Sequence, residues 1–224
     1  MIPVLALDGP SGSGKGAVGM AVASALGWHY LDSGAVYRAL GLLASWEGVA
    51  CDDEEGLNTL ARTLRLRFVH AGTGEPQVFV NERDCALQLR APEIASAASQ
   101  VAAIGSVRAA LLSRQRAARQ APGLVADGRD MASHVFPDAF LKVYLTASAE
   151  VRARRRYDQL KAKGFGVTLS KLIGEIRERD ERDARREVAP LQPAQDAIVL
   201  DSSVLTLREV IDQVLALVRA HPVF

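Results

Sequence analysis

Eight residues near the N-terminus restrict the folds open to this chain more strongly than any other segment. The sequence GPSGSGKG occupies positions 9–16 and follows a short apolar run at 4–7. Glycines allow the sharp turns that bring consecutive backbone N–H groups onto phosphate oxygens. An apolar strand, a loop of the pattern GxxxxGK and a helix together predict a phosphate-binding P-loop in an α/β protein. The alternative is an ordinary glycine-rich turn with one exposed lysine.

The loop has a lysine in the expected place but lacks the usual hydroxyl. Lys15 can reach the β- and γ-phosphates of a nucleotide, and the N-terminus of the following helix carries partial positive charge. The complete motif has Ser or Thr after the lysine, whereas this chain has Gly16 and then Ala17. The hydroxyl that usually contacts the phosphate–Mg²⁺ cluster is therefore missing from both positions. We expect Mg²⁺ to be held mostly by substrate phosphates and water.

Short apolar runs alternate with helical patterns along most of the chain. The predicted core strands are residues 4–7, 28–31, 124–126, 141–145 and 197–200. The predicted helices are residues 17–26, closed by Gly27, residues 35–46, capped by Ser33, and residues 205–218, with further helical pattern after each of the strands at 124–126 and 141–145. Strands that alternate with helices form right-handed βαβ units. The pattern therefore predicts an α/β fold with a five-stranded parallel sheet flanked by helices.

Residues 48–104 depart from this alternation. Apolar and polar residues alternate with period two at 64–69, and a second strand-like run at 77–80 follows the turn sequence HAGTGEP at 70–76. An Ala- and Ser-rich helical pattern at 91–104 comes next. We interpret the whole stretch as an α+β insert carried by the α/β core.

A second charged segment lies near the C-terminus. Residues 152–188 are helical in pattern and very rich in charge, with an interruption at 163–166. The ordinary interpretation is a pair of solvated helices with i,i+4 ion pairs. Arg179, Asp183 and Arg186 are spaced so that they share one helix face, which could clamp a sugar and a phosphate beside a nucleotide loop. The spacing by itself leaves both interpretations open.

Overall charge and cysteine usage narrow the class of protein. Lys+Arg is 27 against Asp+Glu 26, so the net charge of +1 predicts no general affinity for polyanions such as nucleic acid. Only five of the cations are lysine, and arginine suits bidentate recognition of phosphate and carboxylate. Cys51 and Cys85 stand far apart without a CxxC motif, which favours a reducing compartment. No apolar run approaches the roughly 18 residues of a membrane helix and the N-terminus lacks a signal-peptide pattern, so we expect a soluble cytoplasmic protein that binds no membrane.

Three charged residues near predicted strand ends complete the candidate site. Asp127 closes the strand at 124–126 and is placed like a Walker B acid that orients a magnesium-bound water, although it could instead cap the next turn. Arg38 and Arg129 are candidates for a second phosphate site, because ligands of α/β proteins bind at the carboxyl ends of the parallel strands. The four histidines are scattered and receive no catalytic role.

Longer motifs are more specific than the P-loop. In chain order they are LALDGPSGSGKG, LDSGAVYRAL, ASQVAA, GLVADGRDMASHVFPDA, RARRR, KGFGV and ERDERDARREVAPL. Their order and spacing resemble the bacterial cytidylate kinase family over essentially the whole chain, less closely in the insert and near the C-terminus. GKGT is usual in that family, so Ala17 departs from it. The resemblance implies a single P-loop kinase domain over 1–224, with 48–104 as a monophosphate-binding insert and 154–168 as a short lid.

The resemblance also implies an activity and a set of site residues. The activity is phosphoryl transfer from ATP, with Mg²⁺, to CMP or dCMP, which gives CDP or dCDP and ADP. The residues implied to bind the ATP phosphates are Gly9, Pro10, Ser11, Gly12, Ser13, Gly14, Lys15, Gly16 and Ala17. Those implied to bind CMP are Ser33, Arg108, Asp130 and Arg186 at the pyrimidine, Ser99, Arg179 and Asp183 at the pentose, and Arg38 and Arg129 at the acceptor phosphate. Arg152, Arg155 and Arg156 match arginines beside the lid, Gly164 and Gly166 match hinge positions, and Asp127 is implied to lie near the metal, through water. The residues implied to act in catalysis are Lys15, Arg38, Arg129, Arg155 and Arg156.

The chemistry of cytosine agrees with this implication. Cytosine offers an amino donor beside two acceptors, and Asp130 with Arg108 would supply the complementary acid and arginine. Other small-molecule P-loop kinases, acting on UMP, AMP, dTMP or shikimate, are the nearest alternative. A nucleotide switch is disfavoured because the chain has no NKxD motif, and an arginine-rich nucleic-acid binder because acids are interleaved through 152–186. We expect a monomer whose partners are ATP and CMP or dCMP.

Overall fold

The computed structural model describes residues 1–69, 77–162 and 164–222. Its strands are β1 (Val4–Asp8), β2 (His29–Asp32), β3 (Leu66–Val69), β4 (Gln77–Val80), β5 (Arg83–Asp84), β6 (Leu124–Asp127), β7 (Leu141–Thr146) and β8 (Ile198–Asp201). Its α-helices are α1 (Lys15–Leu26), α2 (Ser33–Glu47), α3 (Glu54–Thr63), α4 (Pro92–Val101), α5 (Gly105–Arg116), α6 (Ala149–Ala162), α7 (Leu169–Ala184) and α8 (Leu207–Ala220). The chain divides into two compact units, one of Met1–Asp32 with Gln115–Phe224 and the other of Ser33–Arg114.

The first unit is built on a five-stranded sheet. The strand order is β2-β6-β1-β7-β8, and all neighbouring strands are parallel. β1 and β6 are buried along their whole length, because a parallel sheet carries helices on its faces and its central strands are apolar throughout. Leu5 of β1, Val22 of α1, Val143 of β7 and Val214 of α8 belong to one buried apolar cluster. The predicted α/β class with a five-stranded parallel sheet is confirmed.

Local boundaries differ from the prediction in two places. A helix follows the strand at 124–126 as predicted, but it is a π-helix of only five residues, Met131–Val135. Pro137, two residues after Val135, lacks a backbone N–H, so the π-helix cannot extend into a longer helix. Ser33 is the first residue of α2 and not the residue that precedes it, so its assignment as a cap is wrong.

The second unit contains α2, α3, α4, most of α5 and a three-stranded antiparallel sheet. β3 pairs with β4 in the register Leu66↔Val80 and Val69↔Gln77, which confirms the strand pairing of the predicted hairpin, whereas its turn at 70–76 lies outside the described residues. β5 is a further strand of two residues that the sequence pattern did not indicate. The predicted insert, 48–104, falls within this unit.

The charged segment near the C-terminus forms the two expected helices, α6 and α7. Ala153 and Leu160 of α6 pack with Leu172 and Ile176 of α7 in a small apolar cluster of their own. Lys163, inside the predicted interruption, lies outside the described residues. Across the described part of the chain no single helix is long and apolar enough to cross a membrane, and only the pair α4 and α5, bent by 102°, passes that test by length and composition.

Candidate active site

The P-loop joins β1 to α1 at the carboxyl edge of the parallel sheet. Gly9 has φ +144°, and a Cβ there would lie 2.0 Å from the carbonyl oxygen of Leu145 on β7. Gly14 precedes α1 with φ 100°, in the left-handed region that other residues rarely adopt. Side chains at these two positions are therefore excluded by contact and by backbone conformation, which explains why the loop is glycine-rich.

Lys15 is the first residue of α1 and is 6% exposed. Its Nζ donates a hydrogen bond to the carbonyl oxygen of Pro10 within the loop at 2.8 Å. Burial, and after it the neighbouring Arg129 guanidinium, lowers the pKa of Lys15 to about 7, while Asp127 opposes the shift and Arg179 adds to it. Burial and nearby guanidinium groups both disfavour the charged form of a lysine, and an anion beside the lysine would favour it. This arrangement is suited to an anion.

Two arginines of α6 hold the P-loop backbone. Arg152 donates from Nη1 to the carbonyl oxygen of Ser11 at 3.1 Å, and its Nη2 forms a salt bridge with Asp180 of α7 at 2.6 Å. Arg155 donates from Nη1 to the carbonyl oxygen of Ser13 at 3.2 Å. α6 is therefore tied directly to the loop, and α7 is linked to the loop through Arg152. The roles of Arg152 and Arg155 toward a nucleotide, like that of Arg156, stay predictions.

Ser202, just after β8, is a contact of the loop that sequence analysis did not single out. Its hydroxyl lies 3.2 Å from the carbonyl oxygen of Ser13 and 3.0 Å from that of Thr146, and its own carbonyl oxygen accepts from Nη2 of Arg155 at 2.6 Å. A serine after an apolar strand gives no distinctive sequence signal. Residues 13 and 202 are far apart in the sequence and come together only in the folded sheet.

Asp127 ends β6 beside the first turn of α1. The Tyr30 hydroxyl donates to its Oδ2 at 3.0 Å, and a Cβ on Gly16 would lie 3.7 Å from the same oxygen. Burial raises the pKa of Asp127, with Lys15 acting in the opposite direction. Among the described residues no three His, Cys, Asp or Glu side chains group into a metal site. One acid beside the loop fits Mg²⁺, which is usually bound by substrate phosphates, water and one or two carboxylates.

A second group of charges surrounds Asp183 of α7. Arg129 donates from Nε to its Oδ2 at 3.2 Å, and Arg186 donates from Nη2 to its Oδ1. Burial alone would raise the pKa of Asp183, but Arg129, Arg186 and Arg179 together lower it below its ordinary value. The structure thus brings together four of the residues proposed from the sequence, and all of them belong to the first unit.

One detail of that group was predicted wrongly. α7 ends at Ala184, so Arg186 lies beyond the helix and does not share the helix face of Arg179 and Asp183. The backbone leaves the helical region after Arg185, whose N–H still bonds to the carbonyl oxygen of Glu181. Arg186 contacts Asp183 from the segment that follows the helix, and not from the helix face that the spacing suggested.

Asp8, the last residue of β1, fixes the turn after Arg129, which is a candidate for the second phosphate site. Its carboxylate accepts from the backbone N–H groups of Met131 at 2.9 Å and Ala132 at 2.8 Å, directly after Arg129 and Asp130. Burial raises the pKa of Asp8 to about 7, against the effect of these two hydrogen bonds. The sequence held one signal for this residue, an acid between an apolar strand and the P-loop.

The other candidates belong to the second unit or to the lid segment. Ser33 and Arg38 lie in the first two turns of α2, Ser99 is buried in α4, and Arg108 is buried in α5. Arg108 donates from Nη1 to the carbonyl oxygen of Ala102 at 3.1 Å, and its guanidinium lies 5.7 Å from the ring centroid of Tyr37. In the lid segment Gly164 has φ +80°. The functional roles of these residues stay predictions.

Known structures and sequences resemble this chain over its whole length. A solved structure of an uncharacterized protein from Eubacterium ventriosum matches with a TM-score of 0.52 and 12% identity, covering 99% of this chain and 100% of that chain. At that identity the likeness shows the fold alone. "Cytidylate kinase" from Stutzerimonas stutzeri is 55% identical over 96% of this chain and 94% of its own length. "Cytidylate kinase" from Nitrosococcus oceani is 54% identical over 96% of this chain and 95% of its own length.

The family model described as cytidylate kinase matches residues 5–220. This range includes the P-loop, Asp127, the Asp183 group and the whole of the second unit. A match over nearly all of the chain, together with relatives more than half identical, leaves one assignment. The chain belongs to the cytidylate kinase family of enzymes.

Proposed function

We propose that this chain transfers the γ-phosphoryl group of ATP to CMP or dCMP and releases ADP with CDP or dCDP. The observation that carries the proposal is the position of Arg129, which hydrogen-bonds to Asp183 and also lowers the pKa of Lys15. A cationic site within electrostatic range of a P-loop suits an enzyme that holds two phosphate groups at once. A nucleotide switch or a simple ATPase has no use for the second site.

The proposed reaction needs no general base. The nucleophile is an oxygen of the acceptor phosphate, which is already an anion at neutral pH. Catalysis then consists of alignment of the two phosphates and neutralisation of the charge that develops during in-line transfer. The proposed neutralising groups are Lys15, Arg38, Arg129, Arg155 and Arg156.

A divalent metal is part of the proposal. Mg²⁺ bound with ATP supplies charge neutralisation at the β- and γ-phosphates. Asp127 would hold it through water, supported by its burial at the end of β6 beside the first turn of α1. The loop residues 9–17 would bind the ATP phosphates through their N–H groups.

Selectivity for cytosine is assigned to Asp130 and Arg108. A carboxylate can accept from the cytosine amino group, whereas the O4 of uracil would place an acceptor against an acceptor. A buried polar group left unpaired costs about 1–3 kcal/mol, or about tenfold to a hundredfold in discrimination. Ser33 and Arg186 would complete the pyrimidine contacts, and three further residues would contact the pentose. They are Ser99, Arg179 and Asp183.

The proposal also states where and in what form the enzyme works. We infer a monomer in the cytoplasm whose partners are ATP and CMP or dCMP, with neither nucleic acid nor membrane. The net charge of +1 and the free thiols of Cys51 and Cys85 support it. Sedimentation equilibrium tests the monomer, and a mass of two chains would contradict it.

The experiment that tests the activity is a coupled assay of ADP release with ATP and Mg²⁺. The acceptors are CMP, dCMP, UMP, AMP, GMP and dTMP, each at a series of concentrations. We expect CMP and dCMP to have kcat/KM values well above those of the others. A preference for another monophosphate would overturn the base assignment and keep the kinase. ADP release at one rate with every acceptor, and equally without any, would contradict the proposed transfer itself.

A further inference from the structure

Tyr30 contacts the metal-side acid of the candidate site from a neighbouring strand. β2 pairs with β6 so that Tyr30 is opposite Val125, two residues before Asp127. Residues two apart on a strand point to the same face, so Tyr30 and Asp127 lie on one face of the sheet. There the tyrosine hydroxyl donates to Oδ2 of Asp127 at 3.0 Å.

Two glycines of α1 make room for this side chain. A Cβ on Gly19 would lie 2.8 Å from Cε2 of Tyr30, closer than carbon atoms approach. A Cβ on Gly16, one turn earlier, would lie 3.7 Å from the Tyr30 hydroxyl and 3.7 Å from Oδ2 of Asp127. Glycine inside a helix costs about 1 kcal/mol relative to alanine. Helix α1 loses that stability at Gly19, because the ring of Tyr30 leaves no space for a Cβ there.

Position 16 is the place where a complete P-loop motif has its Ser or Thr. The hydroxyl of a serine there would extend one bond from a Cβ that already lies in van der Waals range of both Tyr30 and Asp127. The phenol of Tyr30 therefore stands beside the same carboxylate oxygen that the missing hydroxyl would approach.

We propose that Tyr30 replaces the hydroxyl that Gly16 and Ala17 lack, as a positioning residue that orients Asp127 for the metal. The inference rests on the proposed function only in that the nucleotide binds together with Mg²⁺. It explains how this chain keeps an ordered metal-side carboxylate with glycine and alanine in the last two loop positions. A tyrosine that only ties β2 to β6 would support the fold without any preference for the metal-bound nucleotide.

The test compares nucleotide affinity with and without the metal. Tyr30→Phe keeps the ring against Gly19 and removes only the hydroxyl. We expect the dissociation constant of MgATP to rise by about threefold to tenfold, the value of one hydrogen bond, while that of ATP in EDTA changes less than about twofold. Tyr37→Phe, which removes a hydroxyl from the second unit, is the matched control and should leave both constants unchanged. No acceptor is present, so the result is independent of which monophosphate is phosphorylated.

A second substitution tests the replacement directly. Gly16→Ser in the Tyr30→Phe background supplies the hydroxyl from the loop, and a Cβ at position 16 would lie no closer than 3.7 Å to its neighbours. We expect this double variant to bind MgATP within about twofold of the parent chain, which corresponds to regaining one hydrogen bond. Equal weakening of ATP and MgATP by Tyr30→Phe, no weakening of either, or no recovery in the double variant would each overturn the proposal.

A third measurement applies if Tyr30→Phe fails to fold. The chain has four tyrosines, so labelling with 3-fluorotyrosine gives four ¹⁹F resonances. The Tyr30 resonance is assigned by eliminating the other three with Phe substitutions. We expect it to shift when Mg²⁺ is added to the protein saturated with ATP. A resonance that responds to ATP but not to Mg²⁺ would overturn the proposal.

Discussion

Binding of ATP should take up a proton on Lys15. The pKa of this lysine is lowered to about 7 by burial and by Arg129. Phosphate oxygens beside Nζ reverse the electrostatic balance and raise the pKa toward its ordinary value. The lysine that is largely neutral above pH 7 must therefore become charged when the nucleotide binds.

The size of the effect follows from the pKa. At pH 8 only about a tenth of the chains carry a proton on a group with a pKa of 7, so binding takes up about 0.9 proton per site. By linkage the affinity for ATP should fall about eightfold to tenfold between pH 8 and pH 9. Asp8, whose pKa of about 7 also rises near an anion, adds to the uptake in the same direction.

Titration calorimetry at pH 8 in Tris and in Hepes measures this proton number, because the two buffers differ in ionisation enthalpy. Lys15→Arg is the control, since arginine keeps the positive charge and does not titrate in this range. We expect the uptake to fall by most of one proton in the variant, with the contribution of Asp8 left over. Equal uptake by the parent chain and the variant would refute the assigned electrostatics of Lys15.

Three further outcomes follow from particular contacts. Asp183→Asn leaves Arg129 and Arg186 without their carboxylate, which should cost about 3 kcal/mol and lower Tm by about 6–12 °C at pH 7. Because the pKa of Asp183 is lowered in the folded chain, the stabilisation by its carboxylate is present above the unfolded value of 3.8 and is lost as the pH falls below that value. Scanning calorimetry should therefore find that the difference in Tm between the parent chain and Asp183→Asn becomes smaller in acid. A difference in Tm that does not depend on pH would count against the ion pair. Asp130→Ala should raise the KM for CMP by about tenfold to a hundredfold and that for ATP far less, and equal rises in steady-state kinetics would remove Asp130 from the base site. Ser202→Ala removes a hydrogen bond to the P-loop and should raise the KM for ATP by about twofold to tenfold with the KM for CMP unchanged, whereas unchanged ATP kinetics would show that the contact does not shape the loop.

The hydrophobic periodicity and the helix-ending glycine were sufficient to predict the main strands and helices of the parallel sheet. The apolar runs that became β1 and β6 are buried on both faces, and such strands leave a continuous signal in the sequence. Gly27 closes α1 in the left-handed conformation that its position after the helix predicted. The two-residue β5 is too short to leave a periodic pattern, and Pro137 marks only where the π-helix at Met131–Val135 must stop.

Candidate site residues were predictable where a local motif carries them. Lys15 and Asp127 follow from the loop and from the end of an apolar strand. Asp8 and Ser202 contact backbone groups more than a hundred residues away, so no local pattern could reveal these contacts, although Asp8 stands between an apolar strand and the P-loop. The spacing argument for Arg186 was incorrect, because it extended the helix past the residue where α7 ends.

The roles proposed for the site residues all depend on one step, the transfer of the γ-phosphoryl group from ATP to the monophosphate of cytidine. ³¹P NMR of the chain with equal amounts of ATP and CMP in the presence of Mg²⁺ follows every phosphorus atom at once. We expect the CDP and ADP signals to grow together as ATP and CMP decline, without inorganic phosphate. Growth of inorganic phosphate with the CMP signal unchanged would contradict it.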